Sequence, residues 1–90
     1  MRFEWNALKA AANERKHGVA FHEAASVFFD PLSATAADPD HSQDEKRFMI
    51  FGMSSLRRLL AVAHAERGDA IRIISAREVT HSERKFYEES

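Results

Sequence analysis

Apolar and polar residues recur with two different periods, which divide the chain into a helical first part and a strand-rich second part. In the first part, Phe21, Ala24, Ala25 and Phe28 have the spacing of one helix face. In the second part, short apolar runs between turn-forming residues are typical of strands. The predicted elements, in chain order, are a strand over residues 2–5, helices over 7–17 and 21–29, strands over 32–37, 46–53, 58–67 and 70–77, and a helix that begins after Thr80.

The first helix has the clearest sequence signals. Asn6 is a favoured N-cap residue, and Gly18 is a favoured residue at the position that ends a helix. Between them, the apolar residues Leu8, Ala11 and Ala12 recur at helical spacing. These signals predict a helix that begins at residue 7 and ends at residue 17.

Turn and cap signals define the second part of the chain. Thr80 and Glu83 match the capping-box pattern at the start of the last helix. The dipeptide Gly68-Asp69 suits a two-residue type II′ turn, which would join two strands as a hairpin. Polar residues predict a loop over residues 38–44 and a turn over residues 54–57.

The predicted order of elements, β-α-α-β-β-β-β-α, indicates an α+β fold in one domain over residues 1–90. Four successive strands with short links form an antiparallel meander in the simplest arrangement. We therefore expect two N-terminal helices packed on this sheet, with a further helix at the C-terminus.

Composition narrows the classes of function. The 90 residues are 44% hydrophobic and 30% charged, as in an ordinary globular protein. The chain has no cysteine and no histidine pair with the spacing of a metal site, so we expect neither metal nor cofactor. It also has no apolar run of membrane-spanning length and no signal-peptide pattern, so we expect a cytoplasmic protein without membrane contact.

Charge is distributed unevenly along the chain. The formal net charge is −1, with four Lys/Arg against seven Asp/Glu in residues 1–44 and nine against seven in residues 45–90. The basic excess of the second part is compatible with an anionic partner and does not require one.

The hairpin around Gly68-Asp69 carries three arginines. If Arg67 pairs with Ala70 across the turn, alternate residues of both strands share a face. Arg67 and Arg72 are then diagonal neighbours on an open, alanine-rich face, a poor structural element but a suitable phosphate site. The first face carries Ala61, Ala63, Ala65, Arg67, Ala70, Arg72, Ile74 and Ala76; the second, better suited to the core, carries Leu60, Val62, His64, Glu66, Ile71, Ile73, Ser75 and Arg77.

The residues alone leave two interpretations of these arginines open. Each either binds an anion or pairs with an acid such as Glu66, Glu78 or Glu83. Taken by themselves, the histidines have structural interpretations: His17 caps a helix end and His64 is buried in a strand. The other three histidines are predicted at the surface: His22, His41 and His81.

Five short motifs between Phe3 and Arg77 are specific in combination, within a resemblance that extends from Phe3 to Glu89 of the sequence. The motifs are Phe3-Glu4-Trp5, Lys16-His17-Gly18, Phe29-Asp30-Pro31, Glu66-Arg67 and the stretch RIISAR over residues 72–77. With these motifs the sequence resembles the BrnT family of bacterial toxins.

The resemblance implies a ribonuclease toxin of a type II toxin–antitoxin module with a RelE-like fold. It also implies a partner, a BrnA-like ribbon-helix-helix antitoxin that neutralises the toxin and binds operator DNA. The toxin would meet that DNA only indirectly. The family further implies a homodimer or a place in a heterotetramer.

A metal-independent ribonuclease must deprotonate a ribose 2′-OH, stabilise the charge on the phosphorane and protonate the leaving 5′ oxygen. Under the resemblance we expect Arg67 and Arg72 to contact the scissile phosphate, and Glu66 or His17 to act as general base. The candidates for substrate binding are Lys16, Arg77 and Tyr87.

A different class of function is also compatible with the sequence. The chain could be a non-catalytic or degenerate toxin-like module that docks a protein or nucleic acid without cleaving it. Cleavage of RNA by the purified chain distinguishes the two possibilities.

Overall fold

The computed structural model describes residues 1–38 and 46–90 as three α-helices, one short 3₁₀ helix and five strands. Of the loop predicted over residues 38–44, all but Asp38 lies outside the described residues, and so does His41. The elements, in chain order, are β1 (Arg2–Glu4), α1 (Ala7–His17), α2 (Phe21–Ser26), the 3₁₀ helix (Val27–Phe29), β2 (Ala34–Ala37), β3 (Arg47–Met53), β4 (Leu59–Arg67), β5 (Ala70–Glu78) and α3 (His81–Glu89).

The five strands form one sheet with the order β1-β5-β4-β3-β2. Strands β2 to β5 make the predicted antiparallel meander. Strand β1 pairs with β5 in parallel, with Arg2 opposite Ala70, which the sequence did not predict. Since no hairpin joins β1 to β5, no short link fixes their relative direction. Among the described residues, no helix has the length and apolar character needed to cross a bilayer.

The ends of α1 are as predicted, but its buried side is not the apolar one. The Asn6 side chain accepts a hydrogen bond of 3.0 Å from the Lys9 backbone N–H, and Gly18 ends the helix with φ of 70°. Leu8, however, is 82% exposed, and the buried residue of the helix is Asn13. The apolar spacing therefore indicated a helix correctly without indicating the side that faces the sheet.

Asn13 explains why α1 presents a polar residue to the sheet. Its side-chain oxygen accepts from the Ala76 N–H at 3.1 Å, and its NH2 group donates to the carbonyls of Ala76 and Val19 at 2.9 and 3.0 Å. Strand β1 covers only residues 70–72 of β5, so the outer edge of β5 is bare beyond Arg72. Asn13 satisfies backbone groups there that a longer strand would have satisfied.

The core lies between the sheet and α2. Phe21 and Ala24 of α2 and Val27 of the 3₁₀ helix are buried, with side chains from three strands packed against them. Gly52 allows this close approach, because a Cβ there would lie 2.8 Å from Val27 Cγ1. The strand residues of the core cluster are Ile50, Leu60, Val62, Ile73 and Ala76.

A β-bulge changes the predicted faces of β5. His64 pairs with Ile73 and Ala63 pairs with Ser75, so Ile74 is an extra residue. Beyond the bulge, Ala76 enters the core and Arg77 lies opposite Ala61 on the other face. The predicted faces of Ser75, Ala76 and Arg77 were wrong, because one extra residue exchanges all later faces of a strand.

Helix α3 covers part of the face that was predicted to be open. The capping box of Thr80 and Glu83 is confirmed, with both reciprocal hydrogen bonds present. The Phe86 ring of α3 packs edge-on against Phe51 of β3, with ring centroids 5.5 Å apart. The sheet is therefore covered at one end on both faces.

Candidate functional site

Five arginines lie on the sheet face opposite α2, which we call the arginine face. Its middle is lined by the small residues of β4, with Ala61, Ala63 and Ala65 buried. The pairing of β1, β3, β4 and β5, together with the bulge in β5, determines which residues share this face. Its arginines are Arg2, Arg47, Arg67, Arg72 and Arg77.

Arg67 and Arg72 are diagonal neighbours, as predicted. Arg67 lies opposite Ala70, and Arg72 lies opposite Ala65. Arg67 approaches Glu4 with 3.7 Å between Nη1 and Oε1, but both side chains are well exposed, so this ion pair contributes little.

Arg72 differs from Arg67 in making no ion pair. Glu4 of β1 lies opposite Arg72 in the register but approaches Arg67. Arg72 is half-buried, and among residues 1–38 and 46–90 its side chain makes neither an ion pair nor a hydrogen bond. Its guanidinium donors are therefore not engaged by any described residue, which is the arrangement expected of an anion-binding side chain.

Arg77 has the acidic partner that was the alternative interpretation. Its two terminal nitrogens donate to the two carboxylate oxygens of Glu83 at 2.7 and 2.9 Å. The hydrogen bonds from Arg77 hold the pKa of Glu83 below its usual value, although burial opposes this. Arg77 thus ties α3 to the sheet.

Lys16 and His17 lie beside β5, near the bulge. They line a shallow groove of about 290 Å³ between α1 and the outer edge of β5. The groove reaches Ser75, which lies opposite Ala63 of the arginine face. Lys16 is exposed and His17 half-buried. The groove is lined by Lys9, Ala12, Asn13, Lys16, His17, Ile74 and Ser75.

Glu66 and Tyr87 are not brought together with Arg67 and Arg72. Glu66 alternates with Arg67 along β4, so it points to the side that also bears His64. Tyr87 is on α3, and its hydroxyl donates to Asp30 Oδ2 at 2.8 Å.

The Tyr87–Asp30 pair lies at the far end of the sheet from Arg72. Asp30 Oδ2 also accepts from the Met53 N–H at 2.7 Å, and Met53 pairs with Leu59. Leu59 and Ala65 are six residues apart on β4, a distance of about 20 Å along a strand. The hydrogen bond to Asp30 raises the pKa of Tyr87. This tyrosine is therefore anchored away from the arginines.

The described histidines other than His17 have structural or surface positions. His64 is buried, with its ring 4.8 Å from that of Phe28 and 5.7 Å from that of Phe48. Burial lowers its pKa, which favours the neutral ring. His22 and His81 are exposed, as predicted.

Sequence reasoning missed a buried ionic cluster at the start of β4. The Glu23 carboxylate of α2 accepts from the Arg58 guanidinium at several atoms and from Ser54 Oγ at 2.7 Å. The hydrogen bond from Arg58 lowers the pKa of Glu23 against the effect of burial. No local signal distinguishes Glu23 from an exposed helical glutamate, because its burial depends on residues 31 and 35 positions away.

Sequence reasoning also missed Arg47 as a candidate. Its position on the arginine face follows from the β3–β4 register, in which Arg47 lies opposite Ala65. In the described part of the chain, no group of three or more His, Asp or Glu side chains is placed to hold a metal ion.

Comparisons with known proteins identify a family and a solved structure to which the chain is similar. The sequence profile of the family described as ribonuclease toxin, BrnT, of type II toxin–antitoxin system matches residues 5–83. The crystal structure of the Brucella abortus ribonuclease toxin BrnT superposes with a TM-score of 0.65 at 23% sequence identity, over 90% of this chain and 99% of that chain. At this identity the match shows a shared fold. No curated protein matches the sequence.

Proposed function

Because the chain belongs to the BrnT family of ribonuclease toxins of type II toxin–antitoxin systems, we propose that it cleaves RNA on its arginine face. It acts as a metal-independent endoribonuclease and arrests growth when no antitoxin is bound. One observation carries the assignment: Arg72 is half-buried beside Arg67, and its side chain makes no ion pair or hydrogen bond with a described residue. We also propose that the fold is related to that of the RelE ribonucleases.

In the proposed reaction, the ribose 2′-oxygen attacks the adjacent phosphorus and the 2′-proton passes to a base. The bond from phosphorus to the 5′ oxygen breaks as that oxygen takes a proton from water, which leaves a 2′,3′-cyclic phosphate and a 5′-hydroxyl. Arg72 and Arg67 donate hydrogen bonds to the non-bridging oxygens, where charge increases in the transition state. Arginine suits this task because it stays charged and offers several donors.

His17 is the preferred candidate for the general base. An imidazole titrates near neutral pH and can accept the 2′-proton. His17 lies in a groove that reaches Ser75 of β5, whereas Glu66 points to the opposite face of the sheet. Lys16 in the same groove would bind RNA phosphate.

Arg77 and Tyr87 have a less direct role in this proposal. Each is engaged by a carboxylate, Glu83 and Asp30 respectively. We therefore assign them to holding α3 over the sheet, which limits the space open to RNA at that end.

The partner implied by the family is an antitoxin. We propose a ribbon-helix-helix antitoxin that contacts operator DNA itself, with the toxin in the cytoplasm as a homodimer or within a heterotetramer. Co-expression with the neighbouring reading frame, followed by light scattering of the purified complex, tests partner and stoichiometry together.

An RNA cleavage assay in EDTA tests the activity. The purified chain should cleave RNA, and Arg72→Ala should lower the rate on the order of 10²–10³-fold, as for loss of one donor to a transition-state oxyanion. Arg15→Ala is the matched control, because Arg15 is exposed on α1 and makes no ion pair with a described residue. RNA binding without cleavage by the wild type would favour a non-catalytic module.

A further inference from the structure

A second arginine completes a row across the arginine face. Arg47 of β3 lies opposite Ala65 of β4, and Ala65 lies opposite Arg72 of β5. Since paired residues of neighbouring strands share a face and strands are about 4.8 Å apart, the Cα atoms of Arg47 and Arg72 are about 10 Å apart. The methyl group of Ala65 between them is fully buried.

The surroundings of Arg47 match those of Arg72. Among the described residues, four arginines are half-buried, and two of them, Arg58 and Arg77, pair with carboxylates. The other two, Arg47 and Arg72, make no side-chain hydrogen bond or ion pair within residues 1–38 and 46–90. The two half-buried arginines without an ion pair are the two that share one row, and Glu4 of β1, beside Arg72 in that row, approaches Arg67 instead.

Two like charges on one sheet face destabilise each other, and partial burial adds a desolvation cost. An anion beside each guanidinium removes both costs. The Cα atoms of the two arginines are about 10 Å apart, which is too far for a single small anion to contact both side chains from a central position. A polyanion with regularly spaced phosphates suits the row better.

We infer that Arg47 binds the RNA phosphate next to the one held by Arg72, so that the RNA backbone runs across the strands from β5 to β3. The site is a phosphodiester subsite made by one side chain of β3. The inference rests on the proposed function, since Arg72 must hold the scissile phosphate for Arg47 to hold its neighbour. Arg47 is a binding residue in this arrangement and touches no bond that changes.

Binding of a single-stranded 2′-O-methyl RNA, which lacks the attacking hydroxyl, tests the subsite by fluorescence anisotropy at several salt concentrations. Loss of one phosphate contact should make the slope of log K against log salt shallower by about 0.7 for single-stranded RNA. Arg47→Ala should show this change and bind about 5–10-fold more weakly, within the range of a charge-assisted contact. Arg47→Lys should keep the slope.

Arg15→Ala is again the control for loss of one positive charge elsewhere, and thermal melting checks that each variant is folded. A second arm uses cleavable RNA in which the phosphate next to the cleaved one is a neutral methylphosphonate. Wild type and Arg47→Ala should cleave this RNA at the same rate. When the methylphosphonate is replaced by an ordinary charged phosphate, the cleavage rate should rise for wild type only.

The outcomes separate the inference from the proposed function. If wild type neither binds nor cleaves RNA, both are overturned. If Arg72→Ala loses cleavage while Arg47→Ala behaves like Arg15→Ala, the subsite alone is wrong. If Arg47→Ala weakens antitoxin binding and leaves RNA binding unchanged, the row contacts protein, which also overturns the subsite.

Discussion

The two ends of the sheet differ in what surrounds their half-buried arginines. At the end where β4 begins, Arg58 contacts Glu23 and Arg77 contacts Glu83. At the end where β4 meets β5, Arg47 and Arg72 have no carboxylate partner among the described residues. We call these the paired end and the unpaired end.

The difference teaches how to separate structural from functional arginines in this fold. The acids of the paired end come from helices, Glu23 from α2 and Glu83 from α3, so each ion pair joins a helix to the sheet. At the unpaired end Glu4 of β1 lies opposite Arg72 but approaches Arg67, so Arg47 and Arg72 remain available to a ligand.

The largest expected effect comes from removing an arginine of the paired end. Arg58→Ala leaves the Glu23 carboxylate, only 5% exposed, without its cation, and we expect a loss of about 3 kcal/mol in the free energy of unfolding. Urea denaturation followed by circular dichroism measures it. Arg72→Ala is the matched variant of the unpaired end and should change stability by no more than about 0.5 kcal/mol. Equal losses of stability in the two variants would contradict the distinction between the paired end and the unpaired end.

A smaller effect should follow from converting Arg77 into an unpaired arginine. Glu83→Gln keeps the capping-box residue type but removes the charge that Arg77 contacts, which should cost about 1 kcal/mol of stability. If the acid is what prevents Arg77 from binding RNA, the same variant should bind 2′-O-methyl RNA more tightly and with a steeper salt dependence. Weaker or unchanged binding would show that position, rather than pairing, distinguishes the two ends.

The smallest effect is a dependence of stability on pH that originates at the paired end. Hydrogen bonds from Arg58 and Arg77 lower the pKa of Glu23 and Glu83 in the folded protein. This stabilisation is complete above the ordinary glutamate pKa of about 4.3 and is lost as the pH falls through the lower folded values.

Urea midpoints between pH 3 and pH 7 measure this dependence. Replacing Glu23 and Glu83 by Gln should flatten the profile, whereas Arg47→Ala and Arg72→Ala should leave its shape unchanged. A residual slope is expected from Asp30, because burial raises its pKa but hydrogen bonds from Met53, Leu32 and Tyr87 lower that pKa by more. A Gln double variant with the wild-type profile would contradict the assignment.

Local signals allowed much of the fold to be predicted from the sequence. The bounds of α1 follow from Asn6 and Gly18, and the start of α3 follows from Thr80 and Glu83, because caps act within one helical turn. The pairing of Arg67 with Ala70 follows from the two-residue turn. The diagonal placement of Arg67 and Arg72 was predictable for that reason.

Features that depend on distant parts of the chain were not predictable. Nothing in the stretch IRIISARE distinguishes Ile74 as a bulge residue, so the face of Arg77 was wrong. Arg47 was not identified as a candidate, because its place on the arginine face depends on the β3–β4 register. The burial of Asn13 on α1 depends on Ala76, 63 residues away, and a polar residue gives no periodic sign of it.

Asn13 also bears on how the outer edge of β5 is kept from pairing with a second polypeptide. A bare strand edge offers unpaired N–H and C=O groups to a second polypeptide, and proteins that leave such edges open tend to aggregate. By bonding to both backbone groups of Ala76, Asn13 closes the outer edge of β5 where the three-residue β1 ends. One amide side chain thus satisfies backbone groups of the long strand β5 that the short strand β1 leaves uncovered.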